Sequence, residues 1–259
     1  MTKRRPFYFQ KKKQEKSPIL MLTAYDYAMG RLLEKADVDA ILVGDSLANV
    51  FSGHAHTLNV TLDQMIYHTQ AVSRAIHSAM LIADMPFLSA QLSILDTKKN
   101  AGRLVQEGGA EAVKIEIGSE EDFAAVHAVT QMGIPVVGHL GLTPQRVHQL
   151  GYKMQGTTNE SADQLIHWAK KSEECGCFAL VLECIPEALA KEITQQLRIP
   201  TIGIGSGFYC DGQIRVTQDL LGLTENPPSF SSPLVNLSKE ALIAISTFKK
   251  NLDSHADAL

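Results

Sequence analysis

Short runs of Val, Ile, Leu and Ala recur along the chain, each followed by a longer stretch whose apolar residues return every three or four positions. Pro18–Thr23, Ala40–Val43, Met80–Ala83, Ala112–Ile115, Pro135–Val137, Phe178–Leu182 and Thr201–Ile204 read as strands, with a weaker eighth near Gln213–Val216. Strands this continuously apolar are buried on both faces, the signature of a parallel sheet. The intervening periodicity predicts helices over Tyr25–Ala36, Leu62–Ser78, Ile94–Glu107, Glu120–Met132, Ala162–Cys175 and Glu187–Leu197. Met29, Leu32, Leu33 and Ala36 share one helical face, Thr61 is placed as an N-cap, and Gly108-Gly109 ends a helix. Seven clear strand–helix units and a weak eighth fit an α/β (β/α)8 TIM barrel better than a doubly wound open sheet, the alternative architecture.

A Pro- and Ser-rich link at Asn226-Pro227-Pro228-Ser229 precedes a last helix, roughly Ser238–Asn251, expected as a C-terminal helical appendage. The expected organisation is one domain over residues 1–259: an arm (1–17), the barrel (about 18–225), and the link and helix (about 226–259).

Charge modifies this picture at one end only. The chain carries −4 overall, yet residues 1–16 hold seven Lys or Arg against Glu15, which leaves −10 for the rest. The basic end reads as a solvated arm, with an anionic-surface tether as the other possibility. The acidic remainder gives no support for a nucleic-acid partner. No apolar run reaches membrane-spanning length, and the first 20 residues lack a secretory h-region. Cys175, Cys177, Cys184 and Cys210 fit neither zinc spacing nor a disulfide framework. A cytoplasmic protein is expected.

The candidate chemistry lies where strands end. Ile41-Leu42-Val43-Gly44-Asp45-Ser46 runs from buried strand to carboxylate and hydroxyl, and Asp84, Glu116 and Glu183 repeat the design. Acids at the carboxyl ends of parallel strands project into the ligand-binding crevice. Asp45, Asp84 and Glu116 would repel one another at one mouth unless protons or a hard, oxygen-seeking cation such as Mg2+ compensated them. The bland alternative has each acid capping the next helix or pairing with a nearby base.

Lys114 points to the same side as Glu116, two residues on. It reads as a fixed positive charge for a carboxylate, as a structural partner of Glu116, or, least favoured, as a Schiff-base nucleophile. Glu183 follows four apolar residues, so it suits a general base with a raised pKa, or else an N-cap. His139 ends a strand and is a candidate supporting residue or a satisfied core histidine. His54-x-His56 would chelate zinc only with a third ligand, and otherwise belongs to a mobile loop. Gly203-Ile204-Gly205-Ser206-Gly207 is a weak phosphate cradle, or a tight strand exit.

These residues sit within a wider pattern. Leu22-Thr23-Ala24-Tyr25-Asp26, Val43-Gly44-Asp45-Ser46-Leu47, Tyr67-His68-Thr69, Ala83-Asp84-Met85-Pro86-Phe87, Gly138–Gln145, Leu182-Glu183-Cys184-Ile185-Pro186 and Asp211-Gly212-Gln213 follow in order. In their order and spacing, from about residue 18 to 225, the chain resembles the ketopantoate hydroxymethyltransferase family.

The resemblance implies a barrel of the phosphoenolpyruvate/pyruvate type and a transferase of pantothenate biosynthesis. The implied reaction moves a hydroxymethyl group from 5,10-methylenetetrahydrofolate to 3-methyl-2-oxobutanoate, with Mg2+ as cofactor. Asp45, Asp84 and Glu116 match the family's magnesium positions; Asp45, Ser46, Asp84 and Lys114 match those contacting the keto acid; Glu183 matches the proton acceptor. A large homo-oligomer, typically a decamer, is also implied. The chain departs from the family at Ala48, at Gly53-His54-Ala55-His56-Thr57, at Ile117, at Gln218 and in the tail after Pro228. Two competing readings are a related metal-dependent 2-oxo acid lyase or mutase and a catalytically silent barrel kept for binding. The first lacks its Lys-Lys-Cys-Gly-His type loop here, and the intact acids argue against the second.

Overall fold

The computed structural model describes residues 2–256. Eight strands close a barrel in chain order: β1 (Ile19–Thr23), β2 (Ala40–Val43), β3 (Met80–Asp84), β4 (Ala112–Glu116), β5 (Val136–Gly141), β6 (Ala179–Glu183), β7 (Thr201–Ile204) and β8 (Gly212–Arg215). Successive strands pair in parallel, which removes the open-sheet alternative. The interior follows from strict alternation: Ile19 and Met21 of β1, Leu42 of β2 and Met80 and Ile82 of β3 fill the barrel, while Ile41 and Leu81 face outward under helices.

Eleven helices accompany the strands in the described residues. They are α1 (Pro6–Gln14), α2 (Tyr27–Lys35), α3 (Leu47–Val50), α4 (Leu62–Ser73), α5 (Ile94–Gln106), α6 (Asp122–Thr130), α7 (Val147–Leu150), α8 (Asn159–Glu174), α9 (Glu187–Gln196), α10 (Thr217–Leu220) and α11 (Leu237–Ala256). The expected N-cap is present: Thr61 Oγ1 accepts from Gln64 N while the Gln64 side chain accepts from Thr61 N, a reciprocal capping box. The connection between β7 and β8, residues 205–211, contains no helix.

The basic amino-terminal stretch is not a solvated arm. Pro6 opens α1 at a position that needs no N–H, and Lys11, Lys12 and Lys13 occupy its last turn, where the helix dipole favours cations. Phe9 is 1% exposed and plugs the barrel bottom among Ile19, Met21, Met80 and Ile214. The lysines become fixed partners of barrel acids: Lys12 Nζ lies 2.7 Å from Asp39 Oδ2 and Lys13 Nζ 2.7 Å from Asp211 Oδ2. Tyr8 donates its hydroxyl to Asp39 Oδ1 at 2.6 Å. Apolar burial and ion pairing together order a segment whose composition alone reads as solvated.

The chain divides into two compact units, the first ending at Ile214 and the second beginning at Arg215. Within the second, Arg215 Nη2 donates to Ser231 Oγ (3.1 Å) and Ser232 O (2.6 Å), which fastens the proline-rich link. Leu234 N donates to Leu220 O at 2.9 Å. The terminal helix is longer than its sequence pattern predicts and presents Leu242, Ile245, Phe248 and Leu252 to solvent.

Candidate active site

Strand register assembles the polar residues at the carboxyl ends of the strands. Asp84 pairs with Lys114 across β3 and β4, Glu116 with His139 across β4 and β5, and Gly141 with Glu183 across β5 and β6. Residues of like parity on adjacent parallel strands face the same way, so these side chains meet inside the mouth. Lys114 Nζ lies 2.9 Å from Asp84 Oδ1 and 3.2 Å from His139 Nδ1, and His139 Nε2 lies 3.2 Å from Glu183 Oε2. Asp84 Oδ2 accepts Asp45 N at 3.1 Å. A single line of contacts therefore runs from the Asp45 backbone to Glu183. Ser46 stands at its edge, its Oγ 2.9 Å from the Tyr25 hydroxyl.

The capping alternative fails for Glu183 and Asp45, whereas Asp84 does pair with a nearby base. Pro186, not Glu183, stands at the N-cap of α9, and no side chain caps α3 after Asp45. Lys114 pairs directly with Asp84 rather than with Glu116, because the β3–β4 register sets them side by side. His139 lies within β5 rather than at its end, and is buried.

Electrostatics follows from burial. Burial disfavours the Lys114 ammonium, but Asp84, Glu116 and Asp45 outweigh it and raise its pKa. A lysine held charged has no lone pair for imine formation. Burial, then the Lys114 charge, lowers the His139 pKa, which keeps the imidazole neutral. With Lys114 donating to Nδ1, the ring proton sits on Nε2 and faces Glu183. Burial, then the Asp84 charge, pushes Asp45 up to about 8. Burial also raises Glu116, despite the favourable Lys114 charge.

One central residue escapes a search based on charge. Gln145 is buried in a 3₁₀ turn, Pro144–Arg146, after β5. Its Nε2 donates to Asp45 Oδ2 at 2.9 Å and to Met85 O at 3.0 Å, and its backbone N donates to Glu116 Oε2 at 3.1 Å. It thus ties β2, β3 and β4 ends together. Only its place in the motif Gly138–Gln145 marked it in the sequence.

The donor set suits a hard cation. Glu116 Oε1 is buried without a hydrogen-bond partner, 3.7 Å from His139 Nδ1, and Asp45 is held near a neighbouring acid. Among the described residues, no three His, Cys, Asp or Glu side chains are drawn together as a closed ligand set. An ion that keeps several waters and needs only one or two direct carboxylates fits that arrangement.

Backbone geometry serves the same end of β6. Cys184, immediately after Glu183, has φ +50, and its N and O are held by Ile204 O and Gln155 N, each at 2.9 Å. The glycine-rich stretch after β7 is a tight exit rather than a phosphate cradle. Ser206 Oγ donates to Leu182 O at 2.9 Å, and Phe208 N donates to Glu187 Oε1 at 3.1 Å. A Cβ on Gly207 would lie 2.4 Å from that same carboxylate oxygen. Ile117, where the family pattern has glycine, is absorbed in the core with its N bonded to His139 O at 2.9 Å.

Solved structures share this architecture. A 2,3-dimethylmalate lyase of the PEP mutase/isocitrate lyase superfamily matches with TM-score 0.60 at 14% identity, over 96% of this chain and 87% of that one. A phosphonopyruvate hydrolase in complex with oxalate and Mg2+ matches with TM-score 0.64 at 13% identity, over 99% and 88%. These likenesses show the fold, a (β/α)8 barrel.

Sequence comparison is more specific. The 3-methyl-2-oxobutanoate hydroxymethyltransferase of Rippkaea orientalis (strain PCC 8801 / RF-1) is 49% identical over 245 residues, 95% of each chain. The sequence profile of ketopantoate hydroxymethyltransferases matches residues 4–256, and the chain belongs to that family.

Proposed function

We propose that the chain transfers a hydroxymethyl group from 5,10-methylenetetrahydrofolate to 3-methyl-2-oxobutanoate, giving 2-dehydropantoate for pantothenate biosynthesis. The observation that carries this reading is the unbroken line Asp84–Lys114–His139–Glu183 at the barrel mouth, in a chain 49% identical to a curated transferase of that name. Assembly as a cytoplasmic homo-oligomer belongs to the same reading.

Asp45, Asp84 and Glu116 are the residues that would hold Mg2+, one or two of them directly and the remainder through water. Bound there, Mg2+ would supply Lewis-acid stabilisation of the negative charge that builds on the keto-acid oxygens. Lys114 stays charged and offers a fixed cation to the substrate carboxylate, with Ser46 as a neutral donor beside it. Orientation is then settled before any proton moves. His139, neutral, presents its Nε2 edge to Glu183 Oε2, 3.2 Å away, and so helps to aim the carboxylate. Glu183 Oε1 is left to take the proton from C3 of the keto acid, which makes C3 nucleophilic toward the folate-borne one-carbon unit.

Proton–deuterium exchange at C3 of 3-methyl-2-oxobutanoate, measured by NMR with Mg2+ and no folate, tests this. Exchange is expected, and its loss with EDTA and in Glu183→Gln is expected too. Absence of exchange in the folded, Mg2+-loaded wild type would overturn the reading, as would borohydride trapping of the keto acid on Lys114.

A further inference from the structure

The His54-x-His56 motif plays no part in the chemistry above, and the structure gives His56 a different partner. The loop after β2 brings His56 against His148 of α7, their ring centroids 5.3 Å apart at 73°. The Tyr152 hydroxyl lies 3.5 Å from His56 Nδ1, at the long limit of a hydrogen bond. His56 is half-buried, and His148 and Tyr152 are exposed, so the cluster is open to solvent.

The His56–His148 contact is an edge-to-face ring pair, and its separation falls in the range that ligands of one ion also span. With metal–nitrogen bonds of about 2.0–2.1 Å, two imidazoles on a tetrahedral ion place their ring centroids about 5 Å apart, and adjacent donor atoms about 3.4 Å apart. Neutral imidazoles favour zinc, copper or nickel over magnesium or calcium, which seek oxygen. We propose that His56 and His148, with the Tyr152 hydroxyl bordering a third position, form a binding site for a divalent transition ion, zinc above all. None of the three residues is a strand-end carboxylate, and ion binding by them does not depend on the reaction assigned to those acids.

Its placement gives it a consequence. The His56 loop leaves β2 directly after Asp45 and Ser46, and α7 follows the turn that carries Gln145. An ion shared by His56 and His148 pins these two mouth loops to each other. An ion that pins these two mouth loops is expected to inhibit turnover even while Mg2+ is saturating.

Calorimetric titration of Zn2+ into the full chain, with Mg2+ in large excess, tests the site. One saturable Zn2+ per chain is expected, weakened about tenfold or more in His56→Gln and in His148→Gln and unchanged in His54→Gln. Zinc inhibition of turnover is expected in the wild type and lost in His148→Gln, whose fold is checked by the near-ultraviolet signal of Trp168. Three results would overturn the proposal: no saturable Zn2+ binding in the wild type, wild-type affinity in His148→Gln, or Zn2+ binding abolished by Asp45→Asn but not by His148→Gln.

Discussion

Replacing Phe9 by alanine tests whether the amino-terminal helix is part of the barrel. The ring is 1% exposed at the barrel bottom, 5.8 Å from the Phe178 ring and packed among Ile19, Met21 and Ile214. The ring is enclosed by the strands of a closed, hydrogen-bonded barrel, which resists collapsing into the space the ring leaves. Truncating a buried Phe to Ala costs about 3–5 kcal/mol where the site stays open. For a chain of this size each kcal/mol lowers the melting temperature by about 2–4 °C, so a fall of roughly 6–20 °C is expected. Phe7, on the same helix but 73% exposed, is the control: Phe7→Ala is expected within about 0.5 kcal/mol of wild type. Thermal melts backed by urea unfolding followed at Trp168 provide the assay. A Phe9→Ala loss under about 1 kcal/mol, or one equal to that of Phe7→Ala, would refute the plug.

Three further outcomes follow from the mouth. Gln145→Leu removes the donor to Asp45 Oδ2, so Mg2+ or Mn2+ affinity by titration should fall about 10–100-fold, with the melting temperature much less affected. Gly141 has φ +96 and an added Cβ would lie 2.2 Å from Glu183 O, so Gly141→Ala should shift the base and cut kcat by about 10²-fold, with KM changing less. Asp45, ordinarily 3.8, is held up to about 8, so the penalty for its buried charge accumulates as pH rises through that window and is complete above it. Metal-free protein should therefore lose stability toward about pH 8, and the increment in melting temperature on adding Mg2+ should grow over the same range; an increment that shrinks with pH would contradict this.

The legible parts of the site were those with a one-dimensional signature. Asp45, Asp84, Glu116 and Glu183 each end an apolar run, and Lys114 shares parity with Glu116, so strand placement alone brings them to one mouth. Pairing was not legible: Lys114 bonds Asp84 because of the β3–β4 register, which no single strand encodes. Helix α1 has no such signature, because its one buried anchor, Phe9, is surrounded by lysines whose acid partners lie far along the chain. Gln145 carries no charge signal in the sequence, because an amide acts through geometry. His56 and His148 meet only because two mouth loops do.

The plugging helix also constrains the order of assembly. Lys13 reaches Asp211 across 198 positions, and Phe9 rests partly on Ile214, so the binding place of α1 is finished only when β8 joins β1. Contacts of such separation form late and slowly. The earliest helix of the chain must therefore wait, its aromatic ring uncovered, until the last strand arrives. Docking of α1 reports that the ring of strands has closed, and a chain stalled before β8 holds Phe9 exposed to whatever apolar surface comes near.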